Sequence, residues 1–124
     1  MRILVCGGRD FSDFELLDKV LMSFENCAMG PISAIIHGDA RGADSIAGAW
    51  ARVNNKEEIP FPANWEKHGK AAGPIRNAEM LLQTRPCCVV AFPGGIGTSD
   101  MIKRSKKAGY RVFIITPDWQ LTSL

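Results

Sequence analysis

Three glycine-rich stretches hold the residues with the clearest chemical use: Gly7-Gly8-Arg9-Asp10, Gly38-Asp39-Ala40-Arg41-Gly42 and Pro93-Gly94-Gly95-Ile96-Gly97-Thr98. Glycine has no Cβ, so its main-chain N–H can approach an anion closely. A helix starting directly behind adds N–H groups without internal partners and a positive dipole end. Phosphate is the natural match. The candidate ligand-binding residues are therefore Gly7, Gly8, Arg9, Gly38, Arg41, Pro93, Gly94, Gly95, Gly97 and Thr98, with Arg9 and Arg41 able to clamp phosphate oxygens. None of the stretches fits G-x-G-x-x-G or G-x-x-x-x-G-K-[ST], so neither dinucleotide-fingerprint nor Walker chemistry is indicated.

Arg76 falls in the first turn of a helix expected to begin at Pro74. A cation there is disfavoured by about 0.3–1 kcal/mol, which points to a ligand anion or a carboxylate as its partner. Asp44 suits either a helix cap or a hydrogen bond to a ribose hydroxyl. Asp100, in the first turn after a cap at Thr98, suits the dipole end; its other role would be to stabilise charge developing on a ribose or to activate water. Asp10 could brace Arg9 or contact sugar. Trp65 could stack on a base or simply pack. His37 reads as a hydrogen-bonded edge residue and His68 as a solvated one. Cys6, Cys27, Cys87 and Cys88 lack C-x-x-C spacing, so reduced buried thiols are expected, with no metal and no disulfide.

Five apolar runs must position these residues: Arg2–Cys6, Ser33–His37, Glu58–Pro62, Cys87–Phe92 and Arg111–Thr116. Helical periodicity fills the gaps. Ser12 to Glu15 reads as a capping box before the face Phe14, Leu17, Val20, Leu21 and Phe24. The second face is Ala43, Ile46, Ala47, Trp50 and Val53. Ile75, Ala78, Leu81 and Leu82 follow Pro74, and Met101, Ile102, Ser105 and Ala108 follow Thr98. Residues 62–73 read as a polar loop. Strand–helix alternation predicts an α/β, Rossmann-like single domain over residues 1–124, with its core at about 2–117. Its parallel five-stranded sheet has order 3-2-1-4-5 and helices on both faces. All three glycine stretches then lie at the strands' C-terminal edge, two of them flanking the switch between strands 1 and 4.

The chain has 124 residues, 46% hydrophobic and 23% charged, enough for one buried core. A net charge of +2 is too weak to argue for nucleic acid as a bulk partner. No run approaches the roughly 20 apolar residues of a membrane span, and no signal peptide is evident, so a cytoplasmic protein is expected.

Phe92-Pro93-Gly94-Gly95-Ile96-Gly97-Thr98, Gly7-Gly8-Arg9-Asp10-Phe11 and His37-Gly38-Asp39-Ala40-Arg41-Gly42-Ala43-Asp44 together resemble the SLOG superfamily, and within it the YspA/YpsA-related domains. Pro62-Ala63-Asn64-Trp65, Gly69-Lys70-Ala71-Ala72-Gly73-Pro74 and Arg76-Asn77-Ala78-Glu79-Met80 fit the same subfamily, which adds Asn77 to the ligand-binding candidates. The resemblance covers about residues 2–117. It implies a pocket for a nucleoside monophosphate or an ADP-ribose-like molecule, in a sensor or sequestering protein without a cofactor, as a homodimer or larger homo-oligomer. The related Lonely-guy phosphoribohydrolases cleave the N-glycosidic bond of nucleoside monophosphates with the motif P-G-G-x-G-T-x-x-E and an arginine from the preceding helix. Arg76 resembles that arginine. Met101 stands at the motif's Glu, and Asp100 is the nearest carboxylate, so catalysis would fall to Arg76 and Asp100. Methionine cannot stabilise an oxocarbenium-like ribose, so binding is the leading expectation and hydrolysis the alternative. A second alternative is a nucleic-acid accessory role, because the second turn is similar to that of DprA.

Overall fold

Ile3, Leu4 and Val5 are successive apolar residues, and a strand built from them can be buried only if both faces of its sheet are covered. In the computed structural model, which describes residues 1–119, β1 (Arg2–Cys6) is indeed the central strand. The sheet runs β3 (Glu57–Pro60), β2 (Ala34–His37), β1, β4 (Cys88–Ala91), β5 (Val112–Ile114), all parallel. Ile3 sits in register with Ile35 on one side and Cys88 on the other. The expected strand order is thus observed, and the proline-containing β3 lies at an edge, where its missing donors are tolerated.

The pleat sorts alternate residues to two cores. Ile3, Val5, Ile35 and Val90 pack against α1 (Phe14–Glu25) and α2 (Ala43–Val53), chiefly Leu17, Leu21, Phe24 and Trp50. Leu4, Ile36, Val89 and Ala91 meet Met80 and Leu81 of α4 (Ala72–Thr84) and Met101 of α5 (Ile96–Lys107). Each fully buried large side chain is worth about 1.5–3 kcal/mol relative to exposure. Among the described residues, no helix is long and apolar enough to cross a membrane, and no cluster of His, Cys, Asp and Glu could hold a metal ion.

Several local expectations are corrected. Asp13, not Ser12, caps α1, its carboxylate accepting from the Leu16 N–H at 3.0 Å; Leu16 then turns inward and Phe14 outward. Residues 62–73 are not one loop. Asn64 caps a short helix, α3 (Trp65–His68), and a 3₁₀ turn (Gly69–Ala71) leads directly into α4. Pro74 is therefore the third residue of α4, a place that still costs no hydrogen bond because the first four N–H groups have no partner anyway. Starting α4 earlier moves Arg76 into its second turn, so the dipole argument for Arg76 does not hold. α5 begins at Ile96 with Gly95 as its cap, so Thr98 lies inside the helix and Asp100 is beyond its first turn. Val53, Ala78, Leu82 and Ala108, expected on apolar faces, are exposed. Cys87 is exposed just before β4; all four thiols are free.

Candidate functional site

At the C-terminal edge of the strands lies an open cleft of about 1320 Å³. Gly7, Gly8, Arg9, Gly38, Arg41, Asp44, Trp65, Arg76, Asn77, Pro93, Gly94, Gly95, Gly97, Thr98 and Asp100 all border it. The three glycine turns do converge, and hydrogen bonds lock them together. The Gly8 N–H donates to the Pro93 carbonyl at 2.9 Å. The Gly8 carbonyl accepts from the N–H of Ala43, at the start of α2, at 3.1 Å.

The glycines divide into two kinds. Gly7, Gly8, Gly38 and Gly94 serve close packing. A Cβ on Gly7 would lie 2.5 Å from that of Ala43, and one on Gly8 2.9 Å from the Gly94 Cα. On Gly38 it would collide with the Arg76 guanidinium, and on Gly94 with Thr98 Oγ1. Gly8 and Gly38 also spend their N–H groups inside the protein, on Pro93 and Asp44. Gly95 and Gly97, by contrast, face open space. They sit at the start of α5, whose first internal bond is the Ser99 N–H to the Gly95 carbonyl, 3.0 Å. The N–H groups of Gly95, Ile96, Gly97 and Thr98 precede that bond, and no side chain caps them. The surface fit for an anion is therefore concentrated on this one turn.

The Arg76 side chain bridges the cleft wall. Its Nη1 donates to the Gly38 carbonyl, and its Nε donates to Asn77 Oδ1 at 2.9 Å. Asn77, which is buried, donates from Nδ2 to Asp100 Oδ2 at 3.0 Å and to the Gly97 carbonyl at 3.3 Å. Arg104 Nε donates to the same Asp100 oxygen at 2.8 Å. Burial pushes the Asp100 carboxyl up, but the hydrogen bonds from Asn77 and Arg104, with the charges of Arg104 and Lys103, outweigh it, and the net shift is downward. Asp100 is thus a fixed carboxylate rather than a proton donor. Met101 beside it is buried in the core.

Asp44 is neither a cap nor exposed. It is the second residue of α2, and its Oδ2 accepts from the N–H groups of Gly38 (3.1 Å) and Ala40 (3.2 Å), folding the second turn back on the helix. Burial raises its pKa, opposed by the Ala40 bond and the neighbouring His37 and Arg76. Burial also lowers the pKa of Arg76, which Asp44 counters; a guanidinium stays charged regardless. Asp10 pairs with Arg41 at 3.8 Å, both exposed, and does not brace Arg9. Arg9 instead lies over the Trp65 ring, 5.6 Å from its centroid. Cys6 borders the cleft, and burial pushes its thiol up to about 12, away from the reactive thiolate form.

Sequence reasoning missed three features of the walls. Lys70 of the 3₁₀ turn borders the cleft, and Ile96 stands almost fully exposed at its rim. The helical stretch from Trp65 to Ala71 carries both Trp65 and Lys70, and Asn64, a favoured N-cap residue, was the signal for it. His37 is held away from the cleft: its Nε2–H donates to Glu58 at 2.7 Å while Nδ1 accepts from the Asp39 N–H at 2.9 Å.

Residues 1–68 match the family described as YAcAr: YspA, cpYpsA-related SLOG family. The chain is also similar to the "Gene 61 protein" of Mycobacterium phage D29, 35% identical over 119 residues, covering 90% of this chain and 93% of that protein.

Proposed function

Because the chain belongs to the YspA, cpYpsA-related SLOG family, we propose that it is a binding domain for a phosphorylated nucleoside or an ADP-ribose-like molecule, acting as a sensor or sequestering protein. One observation carries this reading: the uncapped start of α5, with Gly95 and Gly97 open to solvent at the switch between β1 and β4. Phosphate would accept from the N–H groups of Gly95, Ile96, Gly97 and Thr98. Each such charge-assisted bond is worth roughly 1.5–3 kcal/mol. Arg76 would neutralise charge from the opposite wall, and the exposed Trp65 ring would cover the base once Arg9 moves aside.

Binding without turnover is favoured over N-glycosidic hydrolysis by two details. Met101 is buried and has no group to support a ribose cation, and Asp100 is already committed to Asn77 and Arg104.

The test is thermal denaturation with AMP, ADP-ribose, ribose 5-phosphate and adenosine, with chromatography of each mixture for free base. A ligand at about 100 times its Kd adds about 2.7 kcal/mol, a rise of roughly 10 °C for a domain of this size. The expected result is stabilisation by the phosphorylated compounds, little by adenosine, and no free base. Release of adenine from AMP, lost on Asp100→Asn, would favour the hydrolase instead. No stabilisation by any phosphate compound would end the reading.

A further inference from the structure

We infer that the edge of the sheet opposite the cleft binds the phosphodiester backbone of a nucleic-acid strand. The net charge of +2 conceals a division. From residue 80 onward the chain carries six cations (Arg85, Lys103, Arg104, Lys106, Lys107 and Arg111) against Asp100 and Asp118, a net +4; residues 1–79 are net −2.

The parallel topology gathers these cations. β1, β4 and β5 are neighbours and all begin at this edge. Arg2 opens β1, Arg111 directly precedes β5, and Arg85 ends α4 just before β4. The registers Ile3–Cys88 and Val89–Val112 put Arg2 and Arg111 two strands apart, roughly 10 Å sideways. Arg2 Nη2 reaches the Arg85 carbonyl at 3.4 Å, so Arg85 stands beside Arg2. α4 and α5 pack on one another and both end here, which adds Lys106 and Lys107 from the last turn of α5.

Among the described residues, none of these five has a carboxylate within ion-pair distance, whereas Arg52, Lys56 and Arg104 elsewhere are paired. The same edge changes character beyond β1, where Glu25 pairs with Lys56 and Glu57 opens β3. The cationic stretch is therefore bounded.

Its chemistry selects the partner. Three of the five are arginines, whose forked donors match phosphate oxygens. The last turn of α5 exposes Lys106 and Lys107 without a large apolar side chain, and on α4 Leu82 is the one large apolar side chain exposed near Arg85, too little apolar surface to enter a bilayer. The Phe113 ring, 5.2 Å from the Arg111 Cζ, is covered by that guanidinium and packed against the core, so recognition would rest on the backbone and be tolerant of sequence.

The experiment is fluorescence anisotropy with a labelled 20-nucleotide single strand of mixed sequence and the corresponding duplex, between 50 and 200 mM salt. Three to five phosphate contacts predict a log–log salt slope of about −2 to −4.5. The triple variant Arg2→Gln/Arg85→Gln/Arg111→Gln should weaken binding at least tenfold while leaving the melting temperature and the AMP-induced shift unchanged. Lys106→Gln/Lys107→Gln, on the exposed end of α5, should weaken it several-fold and serves if the triple variant does not fold. The inference fails if neither nucleic acid binds at 50 mM salt or if the variants bind like the parent. It fails equally if saturating AMP displaces the strand, which would move the site to the cleft, or if polyglutamate or phosphatidylserine vesicles bind as tightly as DNA.

Discussion

Asn77 donates to the carboxylate of Asp100 across 3.0 Å, and through the same side chain it holds Arg76 by Nε at 2.9 Å. One buried amide thus fixes both residues to which the family resemblance assigns chemistry. Asn77→Asp keeps the acceptor for Arg76 but sets two carboxylates face to face. The expected loss is about 1–3 kcal/mol in urea unfolding at pH 7, the cost of an unsatisfied buried group. Exchanging the pair, Asn77→Asp with Asp100→Asn, restores a donor and an acceptor and should recover part of that loss. If the double variant is as unstable as the sum of the singles, the two side chains are not coupled.

The two kinds of glycine make opposite predictions. Gly94→Ala should lower the melting temperature, because the added Cβ meets Thr98 Oγ1 and lies 2.6 Å from the Gly8 nitrogen. Gly97→Ala meets nothing and sits in the first turn of α5, where alanine gains up to about 1 kcal/mol over glycine. It should fold at least as well as the parent yet lose most of the AMP-induced shift, because its methyl group stands where phosphate would approach. A Gly97→Ala protein that responds to AMP as the parent does would remove this turn from the site.

The strand order and the convergence of the turns were legible because they rest on apolar runs and glycine positions, which the topology rules convert directly into space. The division of labour among the glycines was not. Whether a missing Cβ makes room for a ligand or for a neighbour depends on what lies across the gap, as Gly38 against Arg76 illustrates. The stretch from Trp65 to Ala71 was hidden for a different reason. Helices this short are marginal by themselves, and α3 forms with the Asn64 cap and with Trp65 lying against Gly73, 3.6 Å from the position of a Cβ there. Likewise Phe14 and Leu16 compete for the inward position of α1, and the choice follows from which residue caps the helix.

Acid should destabilise the fold through two hydrogen-bonded carboxylates. The Lys56 bond holds Glu25 below its ordinary pKa, and the His37 hydrogen bond does the same for Glu58, in each case against the opposing effect of burial. A carboxyl group with a lowered folded-state pKa contributes stability above its unfolded value, about 4.3 for Glu, and loses it as pH falls through the folded value. Asp44, raised by burial, works the other way and gains as pH falls toward 4. Urea midpoints should therefore hold down to about pH 4.5 and drop below it. Glu58→Gln should flatten that drop; an unchanged acid limb would mean that the His37–Glu58 contact contributes nothing.

Gly48 exists to admit that contact. It lies on the face of α2 against β2 and β3, and a Cβ there would collide with Glu58 Oε2 and come within 2.9 Å of His37 Nε2. His37 is buried, so it has little room to retreat, and its Nδ1 anchors the Asp39 N–H in the second glycine turn. Gly48→Ala should cost about 1–3 kcal/mol by overpacking despite the better helix propensity of alanine. The turn should feel it too, so the AMP-induced shift should shrink alongside the melting temperature. Shortening the opposing side chain tests the cause. In Gly48→Ala/Glu58→Ala the methyl group has space, and the double variant should be less destabilised than the two single losses added together. Strict additivity in that cycle would place the cost of Gly48→Ala in the backbone of α2 and not in its contact with the His37–Glu58 pair.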